Sequence, residues 1–198
     1  MTVSLLPVDL ARWDQAAPGD LVCVPVWTDV RPLRGAAGLL DWRMCGRLST
    51  MLGGAKVTGA DGEQTLFPTA HRLPWRLVLA LGVGARRDLS ERRFSACVRR
   101  ALDAAKGIKA RRLAFALPGR DGDGGGAALP ATMTSRRALD LLLAELDATP
   151  GLVDDVVVIA PGPVQKELGE VLRLRAVRGA APPVARAPTA SRRAVRRH

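Results

Sequence analysis

Four short apolar runs constrain this chain more than anything else in it: "DLVCVPVW" (20–27), "RLVLALGV" (76–83), "RRLAFALP" (111–118) and "DDVVVIAP" (154–161). Each is close to unbroken in apolar residues and carries Pro or Gly at or near its end. A strand with one wet face alternates polar and apolar side chains. An unbroken run means that both faces are covered, which is the condition of a parallel sheet between helices. Weaker strand patterns occur at "SLLPV" (4–8) and "EQTLFP" (63–68).

Helical patterns fill the intervals. In "SERRFSACVRRALDAAKG" (90–107), Phe94, Cys97, Val98, Ala101, Leu102 and Ala105 recur at three- and four-residue spacing. Ser90 suits the N-cap and Gly107 the residue just past the C-terminus. "TSRRALDLLLAELDA" (134–148) has a wide leucine stripe capped by Thr134 or Ser135, a third helix opens at Pro163, and "AGLLDWRMCGRLSTML" (37–52) reads as one more. Strand and helix in alternation predict an α/β domain, a three-layer α/β/α sandwich with a mostly parallel central sheet. At 198 residues and 47% hydrophobic, the chain has material for one such core.

The net charge of +11 is concentrated at one end. Residues 173–198 hold eight arginines and no acid; taking those eight from the 30 Lys and Arg leaves 22 basic against 19 acidic side chains. The reading is a domain over 1–172 followed by an Arg-, Ala- and Pro-rich tail over 173–198 that stays disordered. The tail suits phosphate contacts through Arg192, Arg193, Arg196 and Arg197, and suits equally a solubilising extension. No apolar run reaches membrane-spanning length, and the opening "MTVSLLPVDLARWD" has no basic segment before Asp9, so a cytoplasmic protein with no membrane contact is expected. Three cysteines without CxxC spacing read as small buried hydrophobes in a reducing compartment. Two histidines, His71 and His198, exclude a His-based metal cluster, and no metal or cofactor is expected.

Ligands of open parallel sheets bind beyond the carboxyl ends of the strands. There the sequence is rich in glycine: loop 34–41 follows the first buried strand and loop 118–130, "PGRDGDGGGAALP", follows the third. Successive glycines allow backbone N–H groups to converge on an anion. Trp27, at a strand end, is in reach of a base, while core or rim packing is the expected use of all four tryptophans. The sequence contains no GxSxG, no HExxH, no phosphate-loop lysine motif and no GxGxxG opening a helix, and "GVG" at 82–84 is too short to count.

The segments "GDLVCVPVWTDVRPLRGAAGLLD" and "LFPTAHRLPWRLVLALGVGARRDLSERRFSACVRRALDAAKGIKARRLAFALPG" resemble the N-terminal domain of the leucyl aminopeptidase family, and the resemblance extends over residues 5–172. It implies a macro-domain-like fold that is not the catalytic part of those enzymes. The two-metal peptidase site belongs to a C-terminal domain built on Asp, Glu and Lys, and residues 173–198 contain none of these. A non-catalytic binding or assembly module is therefore expected, with a protein partner or a homo-oligomer, since relatives carry this domain beside a hexameric core.

The opening "LLPVDLARWDQAAPGDLVCVP" is similar to that of macro domains proper, which implies a second function class: an ADP-ribose or nucleotide reader. Asp9 would then contact adenine, Gly35 and Gly38 would line a first phosphate loop, and Gly122, Gly124, Gly125 and Gly126 a second. The asparagines that macro domains place after the second strand are replaced here by "VWTD", Val26 to Asp29, a departure that counts against de-ADP-ribosylation and weakens ribose recognition. Nucleic-acid binding through the arginine tail is a third class.

Overall fold

A computed structural model describes residues 1–118 and 129–180. Its centre is a six-stranded sheet in the order β1-β6-β5-β2-β4-β3. The strands are β1 (Thr2–Pro7), β2 (Gly19–Val26), β3 (Gln64–Pro68), β4 (Trp75–Gly82), β5 (Arg112–Ala116) and β6 (Asp155–Ala160). All pairings are parallel except that of β3 with β4. The expected three-layer α/β/α sandwich with a mostly parallel sheet is what forms, and its macro-domain-like character is taken up with the relatives below.

Alternate residues of the strands go to opposite layers, as a period of two requires. Leu21, Cys23, Leu79, Leu81, Leu113, Phe115, Val156 and Val158 pack under α4 (Glu91–Gly107), α5 (Ser135–Asp147) and α6 (Gln165–Ala180). Val22, Val24, Val26, Val78, Ala80, Ala114, Ala116 and Ile159 pack under α1 (Leu10–Asp14), α2 (Gly35–Arg43) and α3 (Arg47–Gly53). Phe94 of α4 meets Phe115 of β5 edge to face at 6.0 Å, and Trp13 of α1 meets Trp75 of β4 in the same way at 5.7 Å. The Trp13 indole also donates to the Pro7 carbonyl at 2.8 Å, so its one polar atom is satisfied inside the core.

Several expectations are corrected. The helix read over 37–52 is two helices: Cys45 (φ 56°) and Gly46 (φ 74°) turn left-handed, and the Asp41 carboxylate accepts from Leu48 N, Ser49 N and the Ser49 hydroxyl to start α3. Gly107 is the last residue of α4 rather than the one beyond it. Lys109 (φ 56°) takes the left-handed place, with Lys109 N donating to Lys106 O and Ala110 N to Ala105 O, the paired bonds of a Schellman ending. Residues Gly162–Val164 form a 3-10 turn before α6 begins at Gln165. Helix α6 continues beyond the boundary read at residue 172 to Ala180, and residues 181–198 lie outside the described residues. No helix among the described residues is long and apolar enough to cross a membrane.

Replacing Trp13 with Ala removes an indole at 0% exposure together with its bond to Pro7. We expect a loss of about 3–5 kcal/mol of stability, read as a lower urea midpoint at unchanged slope.

Candidate functional site

The chain leaves β2 for α2 on one face of the sheet and leaves β5 for α5 on the other, although β2 and β5 are neighbours. Connections that part in this way open a crevice beyond the carboxyl ends of the two strands. Its β4 side is filled by backbone. Val83 N donates to Val26 O at 3.1 Å, Thr28 N to Gly84 O at 3.0 Å and Gly84 N to Gly59 O at 2.9 Å. A Cβ on Gly82 would lie 2.0 Å from the Ala60 carbonyl oxygen, and one on Gly59 2.7 Å from the carbonyl of Trp27. Gly82 and Gly59 are thus glycine because main chain stacks on main chain there, and Gly84 because it turns at φ 78°.

Carboxylates hold these loops in place. Glu63 accepts from Gly59 N at 2.6 Å, from Thr58 N at 2.9 Å and from the Thr58 hydroxyl at 3.0 Å. Partial burial pushes its pKa up, but those donors outweigh it and keep the carboxyl below the ordinary 4.5. Asp29 accepts from Arg86 N at 3.1 Å, and the Arg86 guanidinium lies 5.5 Å from the centre of the Trp27 ring. Trp27 is therefore buried under an arginine, not open to a base. Arg31 donates to the carbonyls of Trp27, Val30 and Thr58, which fixes the path of the loop into α2.

Gly35 opens α2 at φ 57°, a conformation that costs glycine little. Gly38 sits where a Cβ would be 2.7 Å from the Leu33 carbonyl oxygen. Both glycines are demanded by the chain's path, and together they leave the N-terminus of α2 at the end of β2 without a side-chain cap from Arg34. Asp9 is the N-cap of α1, its Oδ1 accepting from Ala11 N at 2.8 Å and from Arg12 N at 3.4 Å. It stands at the end of β1, three strands from β2, a separation of about 14 Å at ordinary strand spacing. The fold thus brackets the crevice with Asp9 and Gly35 without bringing them into contact. Gly122, Gly124, Gly125 and Gly126 lie outside the described residues, as do Arg192, Arg193, Arg196 and Arg197. Among the described residues, no group of three or more His, Cys, Asp or Glu is arranged to hold a metal.

Cavities that sequence reasoning did not anticipate lie elsewhere. One of about 850 Å³ is at the amino ends of the strands, beside Asp20, Trp75, Arg76 and Arg112. Asp20 accepts from Arg111 N at 2.8 Å and Arg112 N at 3.0 Å. Burial raises its pKa, and these amides with the charges of Arg76 and Arg112 bring the balance below 3.8. A second, also about 850 Å³, is at the junction of α2 and α3.

The sequence model of the cytosol aminopeptidase family, N-terminal domain, matches residues 23–144. No curated protein matches the chain. Among solved structures, a mutant of tomato leucine aminopeptidase aligns at TM-score 0.56 and 16% identity over 87% of this chain and 35% of its own; this chain spans about a third of that enzyme's length. The macro domain of ganglioside induced differentiation associated protein 2 aligns at TM-score 0.64 and 16% identity, over 87% of this chain and 83% of its own. The Trypanosoma brucei macrodomain in complex with ADP-ribose aligns at TM-score 0.58 and 19% identity, over 88% and 68%. At these identities the likeness to solved structures is one of fold.

Glu63 and Asp20 both have lowered folded-state pKa values, so the stability they contribute is complete above their unfolded values. It is lost as pH falls through the folded ones. Denaturation midpoints should hold steady down to about pH 5 and then decline, and Glu63→Gln should start from a lower midpoint and decline less.

Proposed function

Because the chain belongs to the cytosol aminopeptidase family, as that family's N-terminal domain, we propose that it works in the cytoplasm as a non-catalytic binding module that assembles with copies of itself. Its best-ordered carboxylates support the non-catalytic reading. Asp9, Asp20, Asp29, Asp41 and Glu63 all accept from backbone amides of caps and loops, roles that use the oxygens a metal or a transferred proton would need. The observation that carries assembly is on α6, where Leu174 is 60% and Val177 71% exposed. Three residues apart, they share one helix face and leave there an apolar strip that a second copy of the chain would cover. Light scattering on the full chain should give one defined oligomer, and Leu174→Glu with Val177→Glu should give a monomer at the same concentration. A parent chain that is monomeric at high micromolar concentration sinks the proposal.

One arrangement favours a second reading, a reader of ADP-ribose or another nucleotide phosphate. The N-terminus of α2 follows the crevice strand β2 in the chain, and Gly35 there puts no side chain in the way of an approaching phosphate. A macrodomain of like fold has been seen with ADP-ribose bound. Asp9, at the far end, would meet the base through the carboxylate oxygen that does not cap α1. Ligand at a hundredfold excess over its Kd should add about 2.7 kcal/mol, which at this chain length raises the melting temperature by several degrees. The shift should shrink in Asp9→Ser, which keeps the cap but removes the carboxylate. No shift at millimolar ADP-ribose retires this reading and leaves the assembly reading untouched.

A further inference from the structure

Trp42 is 69% exposed, whereas Trp13, Trp27 and Trp75 are buried at 0%, 7% and 2%. In a chain with no Tyr and only three Phe, the one large aromatic turned to water is the best stacking surface it owns. Trp42 lines the cavity of about 850 Å³ at the α2–α3 junction, with Gly38, Arg43, Cys45, His71 and Arg72. Gly38, four residues back on the same helix face, puts no side chain beside the indole.

The charge of this cavity comes from its arginines. Arg43 is paired with Asp14 and donates to the Arg72 carbonyl at 3.2 Å. Arg72 donates through Nη1 to the Cys45 sulfur, and no ion pair to a carboxylate is found for it among the described residues. The nearest acid, Asp41, is buried, and both its oxygens are engaged with Leu48 and Ser49 at the start of α3. A planar apolar surface beside a guanidinium free to meet an anion fits a base joined to a phosphate.

We propose that this cavity binds single-stranded nucleic acid, with one base stacked on Trp42 and its phosphate held by Arg72. The ligand is a strand rather than a free nucleotide because the cavity is open at the surface, so that the backbone on either side of a stacked base can run on past Arg72 and Arg43. The site lies on the helix junction, apart from the crevice beyond the carboxyl ends of β2 and β5, and does not depend on it.

Trp42 is also the reporter, since the other three indoles are shielded from solvent. Titrating the full chain with a homothymidine oligomer at low salt should quench its long-wavelength emission. Anisotropy of the labelled oligomer should show affinity falling about 5- to 150-fold in Trp42→Ala, the range expected from losing one stacked base. Trp42→Phe should retain most of the affinity. Arg72→Ala should weaken binding and lower the slope of log K against log salt by about 1. As an exposed position, Trp42 tolerates replacement without loss of fold. Four outcomes overturn the proposal: no binding, binding without quenching, the same affinity in Trp42→Ala (a strand held by the arginine tail), or thymidine monophosphate binding as tightly as the oligomer. A Trp42→Ala variant that changes only the oligomeric state assigns the indole to a protein contact and also overturns it.

Discussion

Strand β2 pairs in parallel with β4 on one side and β5 on the other, and Leu21, Val22, Cys23, Val24 and Val26 are buried on both faces. Parallel pairing offers no stability to a strand alone, because each connection must cross the sheet and be covered by a helix. The double burial of β2 therefore requires α4 and α5 above and α2 below. The whole layered order follows from keeping this one strand dry. The path of α2 follows from it too: after β2 ends at Val26 the chain must bring a helix back over that strand, and α2 begins at Gly35 with φ 57°.

The glycines make the same point from the other side. Read as a pattern, Gly35 and Gly38 suggest a place for phosphate. In the fold Gly38 is demanded by the Leu33 carbonyl and Gly35 by its φ of 57°, just as Gly82 is demanded by Ala60 and Gly59 by Trp27. A sequence cannot distinguish a glycine that admits a ligand from one that admits another loop, because the steric reason is the same. The packed loops do place a limit on function. Among the described residues, they fill the β4 side of the crevice with main chain.

Strand positions were legible to within a residue or two, since continuous burial leaves its signature in composition. Three features were not. Helix α1 spans only Leu10–Asp14, too short for a periodic stripe, and its one signal was Asp9, an N-cap residue type that was read as a ligand contact. The break between α2 and α3 is invisible to periodicity because Met44 and Leu48 continue the apolar rhythm across it; only Gly46 marks it. The left-handed position after α4 went to Lys109, not Gly107, because the paired closing bonds fix which residue turns left-handed and outweigh the preference for glycine there. At the crevice, the glycines of the first loop stand out in the sequence but the backbone path that requires them does not, and the coverage of Trp27 by Arg86 depends on tertiary contacts between residues far apart in the chain.

The exposure of Trp42 has a different standing from that of a side chain left outside by loose packing. Helix α2 turns Ala37, Leu40 and Asp41 inward, and Met44 follows on the same side. At 100° per residue, Trp42 lies about 140° around the helix from Ala37, so no rotation of α2 that keeps Leu40 in the core also buries the indole. An aromatic on that face confers no stability through the core and leaves a large apolar surface in water. Two arginines and a glycine border it, and the nearby carboxylate is turned inward to cap α3. The geometry that buries one face of α2 thus leaves Trp42 on the face turned to water.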